Sequence, residues 1–403
     1  MKKLLFLIAL SVFSHLAYAQ LQDVDIPSAL KFYNGKDVVT IKDWKKRRTE
    51  IKNVFDKEMY GVSPKVPKLY KYALINEDTR AFGGKATRKI VHLFLKGLPN
   101  PIELLIYYPN NKDVSPAFLG YNFCGNHTVT DDPDIPITSL WVPNGVGAKN
   151  NTAAEASRGQ MAERWPVELI VDAGYALVTL YNGDIDPDYH DNFENGVHAL
   201  YKNKKYTWGT LSAWAWGLSY VMNYLEKDQR IDDKQVAVIG HSRLGKTALI
   251  AGANDDRFAL VISNNSGCGG AALSRIKEGE RFININTNFP HWFCDNFKQY
   301  NGKEEELTVD QHLLLALIAP RPVYVASAEL DAWASPKAEF TSAYLVGEVY
   351  KLYGFEGLQT DKMPALSHPI HGDRVAYHIR PGKHNIVRYD WEQYIRFANT
   401  VFK

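Results

Sequence analysis

The chain has 403 residues, 45% of them apolar and 23% charged, with a formal net charge of +2. That composition supplies enough apolar mass for a large core, which excludes a disordered chain. It offers no single-sign field able to neutralise a run of phosphates, which excludes nucleic acid as the natural partner. Three cysteines, Cys124, Cys268 and Cys294, are too few and too widely spaced for a disulfide framework or a zinc site. At most one bridge can form.

The chain begins Met1-Lys2-Lys3, runs through apolar residues from Leu4 to Phe13, and reaches Ala17-Tyr18-Ala19 before Gln20. A short basic end, a brief apolar stretch and an A-x-A site predict a signal peptide over residues 1–19 and export to the periplasm or the extracellular space. The apolar run of about ten residues falls short of the ~20 needed to cross a bilayer, so no membrane span is expected. No cysteine follows the cleavage site, as a lipoprotein anchor would require.

Ile41 to Tyr60 has amphipathic character, and Ala86–Leu95 and Pro101–Tyr108 alternate like the strands of a leading β-meander. From Ala117 onward, apolar strands near 117–124, 175–181, 235–241, 259–264, 321–328 and 374–380 alternate with helical segments. These helices are expected near 153–173, 208–228, 243–254, 309–319, 336–354 and 388–402. Strands that are apolar throughout and separated by helices predict an α/β fold with a mostly parallel sheet covered on both faces. Ser335-Pro336 supplies an N-cap and N1 proline, and Pro320-Arg321-Pro322 ends one helix and launches a strand. One catalytic domain over residues 20–403 is expected, with the long connections 126–152, 182–207 and 265–308 forming the walls of a cleft.

The strand Gln235–Ile239 runs into Gly240-His241-Ser242-Arg243-Leu244-Gly245-Lys246, and Thr247–Ala253 continues as a helix of small residues. A strand, a sharp turn and a helix push a serine out at the carboxyl end of a sheet, with the helix amino terminus facing the reacting carbonyl. Ser242 is the candidate nucleophile of an α/β-hydrolase. The second glycine of the general Gly-x-Ser-x-Gly signature is shifted to three residues after the serine.

A serine needs a base, usually His, oriented by a carboxylate, and in α/β-hydrolases these follow in the order Ser, acid, His. His384 lies on the turn after the last predicted strand, where such a base belongs. His378 is expected to be packed within that strand, and His368 and His371 are offered as cleft-lining alternatives. Asp331 follows the strand Arg321–Ala328 at the same sheet edge, and Glu329 is its competitor for the role of acid. Asp184-Ile-Asp186-Pro-Asp188 superficially resembles a calcium loop but has Tyr189 and Asn195 where glycine and glutamate belong. No metal or other cofactor is needed by this chemistry.

The nucleophile segment Gly240–Lys246 resembles the Gly-Cys-Ser-Arg-x-Gly-Lys motif of the glucuronoyl esterases of carbohydrate esterase family 15, with His241 in place of Cys. The shifted glycine is normal in that family. The resemblance extends through Asn122–Thr128, Arg164–Glu168, Gly183–Asp188, Ser266–Gly270, Asn288–Phe293 and Ala316–Arg321, covering about residues 120–400. It implies cleavage of esters between lignin alcohols and the glucuronic or 4-O-methylglucuronic acid branches of xylan. It also implies that Arg243 assists the oxyanion hole and that Lys246, Glu280 and Trp333 hold the glucuronoyl ring. Many relatives carry Glu where this chain has Asn265, which assigns the acid to Asp331. Two other readings remain at this stage: an esterase for another acylated glycan such as acetyl xylan, and a non-catalytic carbohydrate-binding protein on the same scaffold.

Overall fold

A strand that is apolar on both faces is stable only inside a sheet sheltered on both sides. In the computed structural model, which describes residues 24–203 and 205–402, six strands meet that condition. They are β4 (Ser115–Asn122), β5 (Ala176–Tyr181), β6 (Ile231–His241), β7 (Leu260–Asn264), β8 (Val323–Ala328) and β10 (Val375–Arg380). They lie parallel in the order β5-β4-β6-β7-β8-β10. An antiparallel meander, β1 (Lys71–Arg80), β2 (Ala86–Phe94) and β3 (Ile102–Pro109), extends the sheet beyond β5, and β9 (Ile370–His371) closes the other edge against β10. The result is the three-layer α/β-hydrolase architecture that the sequence predicts. The expected signal at 1–19 lies outside the described residues.

The period-2 alternation of strands divides the core in two. Leu119 and Val238 point to one face, which is covered by the helices Thr210–Leu225, Arg243–Asn254, Gln311–Ala316 and Pro336–Leu345. Phe118 and Ile239 point to the other, which is covered by Val167–Asp172 and Arg388–Val401, with Trp391 against Phe118. Cys124, Cys268 and Cys294 are buried free thiols. Among the described residues, no helix is long and apolar enough to cross a membrane.

Some expected elements differ. The helix expected over 153–173 is confined to Val167–Asp172, preceded by 3-10 turns at Glu155–Ser157 and Ala162–Arg164. Gly159 at φ +68° and Pro166 interrupt the helical path, the first by its left-handed backbone and the second by its missing N–H. The helix expected over 336–354 is divided into Pro336–Leu345 and Gly347–Leu352. The segment 41–60 forms the helix Ile41–Val54 and then a single π turn, Phe55–Met59. Strands β1 and β9 were not expected. β1 is exposed along most of its length and bulged between Leu74 and Asn76, and β9 has two residues, so neither carries a burial pattern to detect.

One buried ion pair fixes the end of the sheet nearest His384. The Arg380 Nε–H donates to both carboxylate oxygens of Asp390, at 3.0 and 2.9 Å, and the other guanidinium nitrogens donate to the carbonyls of Pro381, Lys383 and Asn385. Asp390 also meets His378 Nε2 at 2.8 Å and caps the last helix through the Val387 N–H. The turn 381–385 is thus wound around the Arg380 side chain. Removing one partner of a buried pair strands the other, at a cost of about 3–5 kcal/mol. Asp390→Ala is therefore expected to lower stability by that amount in denaturant titration, while Arg388→Ala, on the exposed start of the same helix, leaves it within about 0.5 kcal/mol.

Candidate active site

The turn after β6 is built by close approach. Ser242 has φ 59° and ψ −128°, a conformation that costs on the order of 1–3 kcal/mol for a non-glycine residue. A Cβ on Gly240 would overlap the Leu244 carbonyl, and one on Gly245 would stand 3.0 Å from the Gly240 carbonyl oxygen and 3.1 Å from the Ser266 Cβ. Leu244, at the position where the general signature has its second glycine, instead packs into the core. The shifted glycine therefore marks where this helix crosses the chain after β7. Ser242 donates its N–H to the Asn264 carbonyl at 2.9 Å, which ties the turn to β7.

Asp331 and His384 meet as expected, with His384 Nδ1 2.5 Å from Asp331 Oδ2. The same oxygen accepts from the Asn265 amide at 2.9 Å, and the Ala334 N–H donates to the other oxygen at 3.3 Å. Burial opposes ionisation of Asp331, but the hydrogen bond and charge of His384, with the Asn265 donor, hold its carboxyl below the usual range. Bonding through Nδ1 leaves His384 Nε2 clear of the carboxylate. Glu329 is exposed and outside the cleft. Asn265 thus stands beside Asp331 as a donor.

His241 supports His384 from behind. Its ring lies 4.5 Å from that of His384, and its Nδ1 is 2.6 Å from the Asn264 Oδ1, whose amide nitrogen donates to the Tyr394 hydroxyl. Burial, with the neighbouring His384 and Arg164, holds the His241 pKa well below its ordinary value and keeps the ring neutral. His378 is buried between Tyr324 and Asp390, as expected of a packed residue. His371 faces Tyr324 from β9, and neither it nor His368 lines the cleft, correcting that alternative.

Ser242, Arg243, Lys246, Glu280, Asp331, Trp333 and His384 all line one cleft of about 260 Å³, a volume suited to a single sugar ring. The Arg243 guanidinium pairs with Asp188 and lies 4.8 Å over the Trp292 ring, while its Nε–H has no partner among the described residues. Asp188 also accepts from His291 and Trp292, which outweigh its burial and hold its carboxyl down at about 2. Lys246 is buried, donates to the Ser266 carbonyl at 2.5 Å, and faces Glu280. Burial lowers its pKa and the Glu280 charge works the other way. Trp333 is 54% exposed, leaving ring surface open to solvent at the cleft.

Sequence reasoning did not assign Phe289 and Trp292, whose rings stack at 3.7 Å on the cleft wall, or Asp188 as the partner of Arg243. Both aromatics lie in the Asn288–Phe293 segment, which was the available signal. Of the long connections, 265–308 supplies cleft wall and 182–207 supplies Asp188 from behind. No residue of 126–152 lines this cleft, which corrects that expectation: Val129 and Ile135 join the core and Trp141 packs on Tyr189. The three carboxylates of the calcium-like segment have protein partners: Asp184 accepts from the Glu103 N–H, Asp186 meets His198 and Thr210, and Asp188 holds Arg243.

The family profile for fungal glucuronyl esterases matches residues 151–354. Carbohydrate esterase MZ0003, from an unknown prokaryotic organism, is 47% identical over 94% of this chain and 90% of its own length. The chain belongs to the glucuronoyl esterases of carbohydrate esterase family 15. A promiscuous family 15 esterase from a marine bacterial metagenome has a similar structure, at 46% identity and a TM-score of 0.87, covering 94% of this chain and 98% of that one. A glucuronoyl esterase from Solibacter usitatus aligns with a TM-score of 0.89 at 44% identity, over 95% of this chain and all of that one. This family 15 protein is accordingly a carboxylic ester hydrolase.

Beneath the cleft of this esterase lies a carboxyl that the sequence did not single out. Glu339 is fully buried and accepts from the Ser327 hydroxyl at 2.6 Å and the Gly267 N–H at 2.9 Å. Burial pushes its pKa up to about 7. Between its ordinary value of 4.5 and about 7 the folded protein holds a proton that the unfolded chain has released, so its contribution to stability declines as pH rises through that window. Thermal melts should show the wild type losing ground to Glu339→Gln from about pH 4.5 to 7, with a slope of at most roughly 1.4 kcal/mol per pH unit. A gap between the two proteins that does not vary with pH would reject this assignment.

Proposed function

We propose that this protein hydrolyses the ester joining glucuronic or 4-O-methylglucuronic acid branches of xylan to lignin alcohols, with Ser242 as nucleophile, His384 as base and Asp331 as the orienting acid. The observation that carries this reading is the buried Lys246 facing Glu280 on the wall of the cleft that also holds Ser242. A desolvated ammonium beside a carboxylate suits the hydroxyls of a uronic acid ring, whereas an acetyl group carries no hydroxyl to offer them. The open ring surface of Trp333 suits the apolar face of the same sugar.

In this mechanism His384 Nε2 takes the Ser242 proton as Oγ attacks the carboxyl carbon of the uronate, and Asp331 stabilises the imidazolium through Nδ1. The developing oxyanion meets the N–H of Arg243 at the helix start and the spare donor capacity of its guanidinium, which Asp188 and Trp292 hold in place. The imidazolium then protonates the departing alcohol, and water discharges the acyl-enzyme by the same route. No step needs a metal or other cofactor. Residues 1–19 fit a cleaved export signal, which would put the remainder, working as one domain, in the periplasm or outside the cell, where plant polysaccharide is met.

The decisive comparison is turnover of benzyl glucuronate and p-nitrophenyl acetate by wild type and Lys246→Met, with Ser242→Ala as the background. One charge-assisted bond is worth about 1.5–3 kcal/mol, so kcat/KM for the glucuronate should fall roughly ten- to hundredfold while the acetate is nearly unaffected. Equal losses on both, or faster release of acetate from acetylated xylan than of benzyl alcohol, would sink the substrate assignment.

The acid has its own test. Asp331→Asn should cut kcat by about 10⁴, the scale for a triad acid converted to its amide. Asn265→Ala, which removes a donor from Asp331 but leaves its charge, should cost far less. Near-normal turnover in Asp331→Asn would pass the role to another carboxylate.

A further inference from the structure

We propose that His241 is a positioning residue for His384 that works only as an uncharged ring, and that Asn264 and Tyr394 fix it in that state. The proposal rests on the reading of His384 as the base; the geometry around His241 does not. His241 is also the one position at which the segment Gly240–Lys246 departs from the motif it resembles.

Little holds the His384 side chain in place. It is 42% exposed, and its ring has one hydrogen bond, from Nδ1 to Asp331 Oδ2. Among the described residues the only ring against it is that of His241, at 4.5 Å and inclined by 43°. A single hydrogen bond fixes a distance and leaves the ring free to swing about it. The direction of Nε2 is therefore set by what the ring leans on.

His241 cannot give way. It is buried, it meets the Phe123 ring edge-on at 6.1 Å, and its Nδ1 lies 2.6 Å from Asn264 Oδ1. Asn264 is itself fully buried, and its amide nitrogen donates at 2.7 Å to the hydroxyl of Tyr394 on the helix Arg388–Val401. The support behind His384 thus runs from β6 through β7 to the last helix.

The charge state follows from the neighbours. As Ser242 gives up its proton His384 becomes an imidazolium, and a second cation 4.5 Å away would oppose that step. The charged groups that face His241 all disfavour such a cation. They are His384 itself, Arg164 from the turn before the helix Val167–Asp172, and Arg380 at the end of β10, which is paired with Asp390. The remaining polar neighbour, Asn264, presents a neutral amide where a carboxylate would stabilise a second ring proton.

The test is the pH dependence of turnover by the whole protein. Asn264→Asp is nearly isosteric: its carboxylate still accepts from His241, the Tyr394 hydroxyl turns to donate to it, and Ser242 keeps its bond to the backbone carbonyl at 264. It also lets His241 take up a proton. Relative to wild type, its kcat on benzyl glucuronate should fall by up to about tenfold per pH unit below roughly pH 7, with KM unchanged. Adding His241→Phe should remove that extra acid limb, since no group is left to charge. Ring-nitrogen NMR should show His241 neutral in the wild type from about pH 5 to 8, and cationic at the acid end of that range in Asn264→Asp. His241→Phe, which keeps a flat ring, should lose several-fold less kcat than His241→Ala, a comparison that stands even where Asn264→Asp does not fold. A cationic His241 in active wild type at neutral pH overturns the proposal, as does an Asn264→Asp profile parallel to that of wild type. Equal kcat in the Phe and Ala variants, or a loss carried by KM, also overturns it. Full turnover by Ser242→Ala or His384→Ala would instead count against the catalytic reading, on proteins in which His241 and Asn264 are unchanged.

Discussion

The left-handed backbone of Ser242 is the constraint on which the site depends. A serine in ordinary strand geometry would point its hydroxyl into the sheet, and one in helical geometry would bury it among the first turns. Held at φ 59°, it stands at the sheet edge with the helix amino terminus behind it. The strain persists because the surroundings leave no alternative: Gly240 admits the Leu244 carbonyl, Gly245 admits the chain after β7, and the Ser242 N–H is engaged by Asn264. Relaxing the serine would break that bond and drive the helix into β7.

From that point the polar groups under the cleft form a connected set. Asn264 anchors the serine turn through its carbonyl and orients His241 through its side chain, and His241 lies against His384. The adjacent Asn265 donates to Asp331, which holds His384 from the other side. Two consecutive asparagines at the end of β7 therefore bond Ser242 and Asp331 directly and reach His384 only through His241 and Asp331. A carboxylate in place of Asn265 would sit beside Asp331, and like charges at that range disfavour joint ionisation. An amide donates where a second carboxylate would repel, which is a physical reason for Asn265 and Asp331 to occur together.

What the sequence revealed follows from which signals are local. The helix Arg243–Asn254 was readable to its ends because the Gly240-His241-Ser242 turn precedes it and Asp255-Asp256 follows, and the parallel strands were readable because burial on both faces demands unbroken apolar runs. β1 was not, since an exposed, bulged edge strand has no burial pattern to write into its residues. Ser242, Asp331 and His384, on turns after strands, could be proposed together because the order of nucleophile, acid and base in such folds restricts where each can fall. The Arg243–Asp188 pair, fifty-five positions apart, and the stacked Phe289 and Trp292 were not, because an ion pair across the fold and a wall of rings leave no local periodicity.

Lys246 shows why such a cleft carries costly groups. A buried ammonium is expensive unless its protons are bonded and its charge is balanced. Here the Ser266 carbonyl takes one proton, Glu280 supplies opposite charge, and the Trp292 ring lies 5.8 Å away as a weaker, polarisable partner. The carbonyl uses only one of three donors, so the remainder stay available at low dielectric, where each bond to a hydroxyl counts for more than it would in water. Arg243 follows the same rule, since its pairing with Asp188 leaves Nε–H unspent. Each cation is neutralised enough to remain in the fold and keeps donors unspent, and in the proposed reading it is those unspent donors that set the chemistry of the ligand.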